Sequence, residues 1–229
     1  MTFLQESLYL GFVISILAYL FGVWLKNKLG WPVLNPLLVA VILIIGFLLI
    51  FKIDYADYNK SAGIISYLLT PATVCLAIPL YKQLELLKRN FTAVMAAILS
   101  GVITSVVSIF LLCLLFQLDH VTYVTLLPKS ITTAIGMGVS EEAGGIVTVT
   151  VVCIILTGII GNIIGETVFK LFKIKNPVAK GLAFGTSSHA IGTARALEMG
   201  EVEGAMSSLS IAVAGLLTVV IAPLMSGLI

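Results

Sequence analysis

Long apolar runs without a charged residue alternate with short polar segments along this chain. Six such runs cover residues 7–25, 33–51, 61–81, 91–118, 143–165 and 204–229. A helix needs about 17–25 residues to cross a hydrocarbon core of about 30 Å, and each run is long enough. The pattern therefore predicts an all-α polytopic membrane protein with about six spanning helices.

Two stretches interrupt this apolar pattern with polar groups in nearly the same order. Residues 127–136 read LPKSITTAIG, and residues 185–192 read GTSSHAIG. Proline removes a helical hydrogen-bond donor, and glycine permits sharp turns and a close approach of two backbones. Each stretch is therefore predicted to break its helix. Pro71 and Pro79 are expected to break or kink the apolar run that contains them.

A repeated landmark accompanies these breaks. The sequence ILSGVI at 98–103 recurs as ILTGII at 155–160, and Gly101, Gly158 and Gly215 are spaced 57 residues apart. A broken segment precedes each of the three glycines at a nearly constant distance. The chain is therefore predicted to be one membrane domain, 1–229. Its repeat-like units cover residues 62–118, 119–175 and 176–229.

Basic residues cluster in three loops, which the positive-inside rule assigns to the cytoplasm. The clusters are Lys26 and Lys28; Lys82, Lys88 and Arg89; and Lys170, Lys173, Lys175 and Lys180. The third loop can be cytoplasmic only if residues 121–142 enter the membrane from outside and return to the same side. This re-entrant arrangement is preferred. In the alternative, the segment crosses as a broken helix and places the most lysine-rich loop outside.

The re-entrant arrangement gives the last two repeat-like units opposite orientations. Residues 121–142 would form a hairpin that enters from outside, and residues 181–204 would form one that enters from the cytoplasm. Inverted repeats with interrupted helices near the membrane midplane are typical of secondary transporters. We therefore expect the two polar stretches to be hairpin tips that meet mid-membrane and form one site.

The residue types at the tips suit a small carboxylate. Backbone N–H groups at the start of a half-helix attract anions, and an intramembrane cation is a functional hypothesis by default. The predicted substrate-binding residues are Lys129, Ser130, Thr132, Thr133, Thr186, Ser187, Ser188, His189 and Arg195. The predicted hinge and backbone positions are Pro71, Pro79, Pro128, Gly136, Gly185 and Gly192, with Glu142 in an outer vestibule.

Each of these side chains also has a structural interpretation. Hydroxyl groups in membrane helices often bond only to their own backbone or to a neighbouring helix. Lys129 could extend its ammonium to a membrane interface, and Arg195 could pair with Glu198. His189 could be a neutral packing residue or a proton-coupling group, because imidazole titrates near neutral pH. Glu142 could be a solvated hairpin end.

Composition narrows the classes of function. Apolar residues make up 59% of the chain and charged residues 10%, against about 25% charged residues in an ordinary soluble domain. The cysteines Cys75, Cys113 and Cys153 stand alone in apolar runs, so neither a disulfide framework nor a metal site is predicted. No cofactor and no nucleic-acid partner are expected. Adjacent Ser188 and His189 have poor geometry for a nucleophile–base pair, so no catalytic residue and no enzyme activity are predicted.

At these motifs the chain resembles the LrgB/CidB family of bacterial membrane proteins. The resemblance spans nearly the whole chain. Its motifs are NPLL at 35–38, AIPLY at 77–81, LLPKSIT at 126–132, GG at 144–145 and GTSSHAIGTA at 185–194. Two further motifs, SEEAGG at 140–145 and ALEM at 196–199, look closer to the CidB branch.

The resemblance implies a holin/antiholin-like protein of the bacterial cytoplasmic membrane that affects murein hydrolase activity and autolysis. It also implies a small holin-like membrane partner of the LrgA/CidA type. Members of the family are linked to pyruvate movement, and a plastid relative carries glycolate and glycerate.

Two functions of different classes follow from the motifs and the resemblance. A nonspecific hole needs no paired polar tips, whereas a carrier does. The sequence therefore predicts a transporter or facilitator of small monocarboxylates, with effects on autolysis as a downstream consequence. The alternative is a pore-forming or pore-regulating protein that controls murein hydrolase export. Whether the chain forms a homo-oligomer stays open.

Overall fold

A computed structural model describes residues 9–29 and 34–229, and all regular structure in these ranges is helical. Contacts divide the chain into two compact units, Met1–Cys75 and Leu76–Ile229. The first unit contains α1 (Leu10–Leu29), α2 (Pro36–Phe51), α3 (Tyr55–Ala62), a 3-10 helix (Gly63–Leu68) and α4 (Leu69–Cys75). The second contains α5 (Ala77–Lys82), α6 (Leu84–Arg89), α7 (Phe91–Leu115), α8 (His120–Leu126), α9 (Thr133–Glu142), α10 (Val147–Leu171), α11 (Pro177–Met199) and α12 (Glu201–Ser226).

The predicted all-α membrane class is confirmed. Within the described ranges, α1, α7, α10 and α12 are long and apolar enough to cross a membrane, and α2 is a shorter apolar helix. These helices keep large apolar side chains such as Leu49, Leu115 and Leu224 exposed, as expected of surfaces that face lipid. Four helices of spanning length in the described ranges do not confirm the predicted number of about six.

The third apolar run, 61–81, is not one helix. It consists of the 3-10 helix, α4 and most of α5, with a break between Cys75 and Ala77. Pro71 lies in α4 and Pro79 in α5, so each of these short helices contains a residue that cannot donate a backbone hydrogen bond. The short helices in this run agree with the prediction that these prolines interrupt it.

In the first unit, small residues allow helices to approach closely. Asn35 caps α2 because its Oδ1 accepts a hydrogen bond from the Leu37 N–H at 2.8 Å. The backbone of Pro36 packs against Gly22 of α1, where an added Cβ would lie 2.7 Å from the Pro36 carbonyl oxygen. Asn35 therefore serves as a structural hydrogen-bonding point at the start of α2.

The second unit has two distinct ends. At the lysine end, Lys82 Nζ lies 3.8 Å from Glu201 Oε1, and Met199 borders the same cavity as Lys175. At the opposite end, Nδ1 of His120 lies 2.7 Å from the Ile229 oxygen. The two loops that hold Lys82 and Lys175 therefore lie at the same end of the unit, as the preferred re-entrant arrangement requires.

Helices α8 and α9 form the first hairpin. Asp119 caps α8, and Pro128 ends the run of helical donors, after which extended Thr132 redirects the chain into α9. Buried hydroxyls, including that of Thr150 in α10, then connect the end of α9 to the last turn of α8. Ser140 and Thr150 share a hydrogen bond of 2.7 Å, and the Thr150 hydroxyl donates to the Thr125 carbonyl at 2.9 Å. The chain therefore returns toward its starting end instead of continuing across the unit.

Helix α11 contains the second hairpin, because its chain direction reverses at His189. The backbone of His189 has φ 42° and ψ −134°, which is not helical. Along the first arm, Gly181 and then Gly185 pack on successively later residues of α12, namely Glu203 and Ser207. Along the second arm the order is opposite, since Thr193 hydrogen-bonds Ser207 and Leu197 packs on Gly204.

The glycines of the hairpins do not make the turns. Gly136, Gly185 and Gly192 lie within helical segments, and none of them has a positive φ. Gly136 faces Ile154, Gly192 faces the Phe184 carbonyl, and Gly185 faces the backbone of α12. Their contacts fit the second of the two roles predicted for these glycines, a close approach between neighbouring segments, whereas the reversal in α11 lies at His189.

The order of elements is the same in residues 119–175 and 176–229. Each range has a hairpin followed by one long helix, and α10 runs toward the lysine end whereas α12 runs away from it. This order agrees with inverted units. The sequence repeat itself and the single-domain assignment stay predictions.

Cysteine labelling tests which membrane side each end faces. With the three native cysteines replaced, cysteines introduced at Glu142 and Lys175 are expected to react with an impermeant reagent from opposite sides of the membrane. Both positions are exposed, whereas neighbouring Ser140 is fully buried and would not react. Labelling of both from one side would contradict the re-entrant arrangement.

Candidate functional site

The two hairpin tips meet against one face of α7. From the first tip, Ser130 accepts a hydrogen bond from Ser105 at 3.1 Å. From the second, Thr186 packs on Gly101, where an added Cβ would lie 3.2 Å from the Thr186 side chain. Because Gly101 and Ser105 are one helical turn apart, the tips lie side by side. This is the juxtaposition that the two polar stretches predicted.

A cavity of about 620 Å³ opens beside the joined tips. The first tip contributes Lys129 and Ser130, and the second contributes Thr186, Ser187 and Ser188. Helices α7 and α10 form its other walls, with hydroxyl residues at the level of the tips and apolar residues such as Ile164 and Val168 toward the lysine end. Its size is in the range of small-molecule sites.

Lys129 is the cation of this cavity. The side chain is half-buried, and its Nζ donates a hydrogen bond to Ser130 Oγ at 3.0 Å. Across the described part of the chain, no carboxylate oxygen lies within ion-pair distance of this ammonium. A half-buried cation that has only a neutral hydrogen-bond partner leaves room for an anionic ligand.

The hydroxyls of the second tip mostly bond within their own helix. Thr186 donates to the Leu182 carbonyl and Ser187 to the Ala183 carbonyl, both at 2.7 Å. The two hydroxyl oxygens can still accept a hydrogen bond from a ligand, but their O–H groups already donate to backbone carbonyls. Ser188 shares a hydrogen bond of 3.0 Å with Ser187 and packs against Gly161 of α10. Lys129 is therefore the strongest donor that faces the cavity.

Sequence reasoning missed the contribution of α7. Ser100, Thr104, Ser105 and Ser108 also line the cavity, together with Thr157 of α10. Their spacing of three and four residues places the α7 hydroxyls on one helical face, and that spacing was the available signal. The signal was weak, because single hydroxyls in an apolar helix usually bond only to their own backbone, as Ser108 does to Thr104.

His189 holds the turn of the second hairpin and does not line the cavity. Its Nε2–H donates to the Ile154 carbonyl at 2.9 Å, and the ring lies directly against Gly158. The carbonyl of Ile191, two residues after His189, accepts a hydrogen bond from Asn162 Nδ2 of α10 at 3.0 Å. Because a non-glycine residue is strained at this positive φ, these contacts with α10 offset the strain. The packing interpretation of His189 fits this placement.

The remaining predicted site residues lie away from the cavity. Arg195 forms ion pairs with Glu166 of α10 and with Glu198, which matches its structural interpretation and adds a partner that the sequence did not suggest. Thr132 is the N-cap residue of α9, and Thr133 is its first residue. Glu142 is exposed at the end of α9. None of these four side chains borders the cavity.

Nothing in the described residues suggests a metal centre. In residues 9–29 and 34–229, no group of three or more His, Cys, Asp or Glu side chains is close enough to hold an ion. The chemistry available at the tips is therefore that of one ammonium and several hydroxyls, which can bind and orient a small anion.

The contact between Gly158 and His189 gives a stability prediction. A Cβ added at Gly158 would lie 2.8 Å from His189 Cε1, so Gly158→Ala is expected to lower the free energy of unfolding by about 1–3 kcal/mol. Combining it with His189→Gly removes the overlap with the imidazole and leaves the one with Ile191 Cδ1, at 2.8 Å from the added Cβ, so the loss should be smaller than the sum of the single effects. Thermal unfolding in detergent measures both.

Gly138→Ala is the matched control for this prediction. An added Cβ at Gly138 meets nothing within 4 Å, and alanine is the better helix former. If Gly158→Ala and Gly138→Ala unfolded at the same temperature, the contact between Gly158 and His189 would not contribute to stability.

Comparisons with known proteins identify the family. The LrgB-like family matches residues 15–228. An antiholin-like protein LrgB of Bacillus subtilis strain 168 is 43% identical over 224 residues, 97% of either chain. Antiholin-like LrgB proteins of Bacillus cereus strain B4264 and Bacillus anthracis strain CDC 684 are each 41% identical over 217 residues, 94% of either chain. No solved structure matches, and the closer likeness to the CidB branch is not confirmed. The chain belongs to the LrgB family.

Proposed function

We propose that this chain has an antiholin-like function in the cytoplasmic membrane of a bacterium, where it restrains a pore that controls murein hydrolase export. The observation that carries this proposal is the 41–43% identity, over nearly the whole chain, to proteins named antiholin-like. This is the alternative of the two functions that the sequence suggested, and the relatives favour it over the carrier. The pore would be formed by a small holin-like protein of the LrgA/CidA type.

Reconstitution tests this proposal directly. Vesicles that contain the holin-like partner are loaded with dyes of graded size, and leakage is measured with and without this chain. An antiholin is expected to reduce leakage of all dyes that the partner alone releases. An unrelated polytopic membrane protein at the same density is the control for crowding. Leakage that is equal with the chain, with the control and with the partner alone would rule out restraint of the pore.

The cavity favours a second candidate function, the movement of small monocarboxylates such as pyruvate, glycolate or glycerate. The specific observation is that Lys129 faces a cavity of about 620 Å³ without a carboxylate of the described chain to pair with. A substrate carboxylate would supply the missing anion, and Ser130 and the α7 hydroxyls would orient it. An effect on autolysis would then follow from transport.

Protection of introduced cysteines tests whether a carboxylate binds in this cavity. Without the native cysteines, a cysteine at Ser187 should be protected from a small thiol reagent by pyruvate, because Ser187 is an exposed residue of the cavity wall. A cysteine at Thr132, which belongs to the first hairpin but lies off the cavity, should not be protected. Equal protection, or none, at the two positions would exclude this site.

Saturable and substrate-selective uptake by vesicles that contain only this chain would favour the carrier. An antiholin by itself should cause neither uptake nor leakage and should act only in vesicles that also contain the holin-like partner. The two functions are therefore separable with the same purified protein.

A further inference from the structure

A second cavity, of about 350 Å³, lies at the lysine end between the end of α10 and the hairpin of α11. Four lysines line it: Lys170, Lys173, Lys175 and Lys180. Its apolar wall consists of Phe169, Ile174 and Met199. It shares only Phe169 with the cavity at the hairpin tips.

The local backbone brings the lysines together. Helix α10 ends in a tight turn in which the Ile174 N–H donates to the Phe169 carbonyl at 2.8 Å, with Lys173 in the left-handed conformation at φ 55°. This turn reverses the chain before Asn176 caps the start of α11, where its Oδ1 accepts from the Val178 N–H at 2.9 Å. Lysines that precede and follow the turn therefore face one cavity.

The charges in this cavity are not balanced by the protein. Its one acidic lining residue, Glu166, is already bound by Arg195. Among the residues that the structure describes, no carboxylate lies within ion-pair distance of any of the four ammonium groups. Four lysines around one cavity, beside an apolar wall, are suited to a phosphate group that carries an apolar chain.

We propose that this cavity binds the phosphate headgroup of an anionic phospholipid. The apolar side of such a ligand has a surface to contact, because Leu171 and Phe172 are 73% and 69% exposed beside the lysines. A soluble phosphate shares the charge but would gain nothing from these side chains. The headgroup would join the end of α10 to the hairpin of α11 and so stabilise the lysine end.

The positive-inside rule alone explains lysines at this end but not their convergence on a cavity. The other basic loop of the second unit offers the comparison. The cavity near it, of about 780 Å³, is lined by Leu86, Asn90 and other uncharged residues, and by none of Lys82, Lys88 and Arg89. That loop therefore supplies a control with the same charge and a different arrangement.

The test uses the full chain in phosphatidylcholine nanodiscs, titrated with phosphatidylglycerol, and follows the thermal unfolding midpoint. The triple variant Lys170→Gln, Lys173→Gln, Lys180→Gln should lose phosphatidylglycerol affinity. A hydrogen bond between an ammonium group and a phosphate contributes roughly a tenfold factor or more, so losing three should weaken binding at least about a hundredfold. The control triple, Lys82→Gln, Lys88→Gln, Arg89→Gln, removes the same charge from side chains that do not line the cavity, so only the general surface attraction should fall and its loss should be clearly smaller.

Three results would overturn the proposal. One is an equal loss in both triple variants, which would mean that only the general surface charge attracts the lipid. A second is an unchanged affinity in the cavity triple. A third is an equal stabilisation by inorganic phosphate in phosphatidylcholine alone, which would assign the cavity to a soluble anion. If the cavity triple does not fold, the single variant Lys180→Gln decides, with a loss of about tenfold expected and a loss no greater than that of Lys88→Gln overturning the proposal.

Discussion

Replacing Lys129 with Met is expected to weaken the binding of pyruvate and similar monocarboxylates roughly 30- to 150-fold. The ammonium is half-buried at the joined tips, and its protein partner is the neutral Ser130 hydroxyl. A hydrogen bond to a charged group contributes about 1.5–3 kcal/mol. Because both the ammonium and the substrate carboxylate would be partly buried, we expect the loss of binding free energy to lie in the upper part of this range, at about 2–3 kcal/mol. At about 1.4 kcal/mol for each factor of ten, this gives the stated range.

Equilibrium binding of radiolabelled pyruvate to the purified protein measures this effect. Methionine fills much of the same volume and removes the charge, so the unfolding temperature should change little. Lys82→Met is the matched control, because Lys82 is exposed at the lysine end and, within the part of the chain that the structure describes, pairs with exposed Glu201 alone. Lys129→Arg is not expected to restore full affinity, since a planar guanidinium does not replace a compact ammonium.

An unchanged affinity in Lys129→Met would make Lys129 a structural residue. The carrier candidate would then lose its supporting observation, whereas the antiholin-like proposal, which rests on the relatives, would be unaffected.

Replacing Gly185 with Leu should prevent the second hairpin from packing on α12. An added Cβ at Gly185 would overlap the Ser207 carbonyl oxygen and lie 2.5 Å from the Ser210 Cβ. Neither of these can move without displacing the α12 backbone. Small residues at such contacts let membrane helices approach, and the overlap should cost at least about 3 kcal/mol. We expect little or no monodisperse protein after extraction in mild detergent, measured by size-exclusion chromatography.

Gly138→Leu is the control for this variant. Gly138 is exposed, and an added Cβ there has no neighbour within 4 Å. That variant should elute and unfold like the unchanged protein. A Gly185→Leu protein that folds as well as Gly138→Leu would contradict the close packing of the first hairpin arm on α12.

The structure brings together part of the set of residues that the sequence predicted as a site. The structure places five predicted residues at one cavity, although they come from stretches that start 58 residues apart: Lys129, Ser130, Thr186, Ser187 and Ser188. The polar interruptions in apolar runs gave this information, because a broken helix at membrane depth must face protein or a water-filled cavity. Whether the five residues bind a substrate stays a prediction.

Other predicted site residues lie elsewhere, for reasons that a local pattern does not contain. His189 and Arg195 belong to the same hairpin as Ser188, yet both turn toward α10, where Ile154 and Glu166 supply their partners. Those partners are about 30 residues away in sequence. Nothing in the stretch 185–195 indicates which side chain faces the cavity and which faces the neighbouring helix.

By itself, the sequence determined the membrane class and the stretch in which each break lies, and it predicted that the two basic loops of the second unit share one end. These properties follow from hydropathy, from proline and glycine, and from charge, which act locally along the chain. The tertiary structure alone decided that the second turn is at His189 and that α7 completes the cavity wall. The physical reason is that a strained turn or a hydroxyl-bearing helical face is stable only when residues distant in sequence pack against it, as Gly158 does against His189 and Thr186 against Gly101.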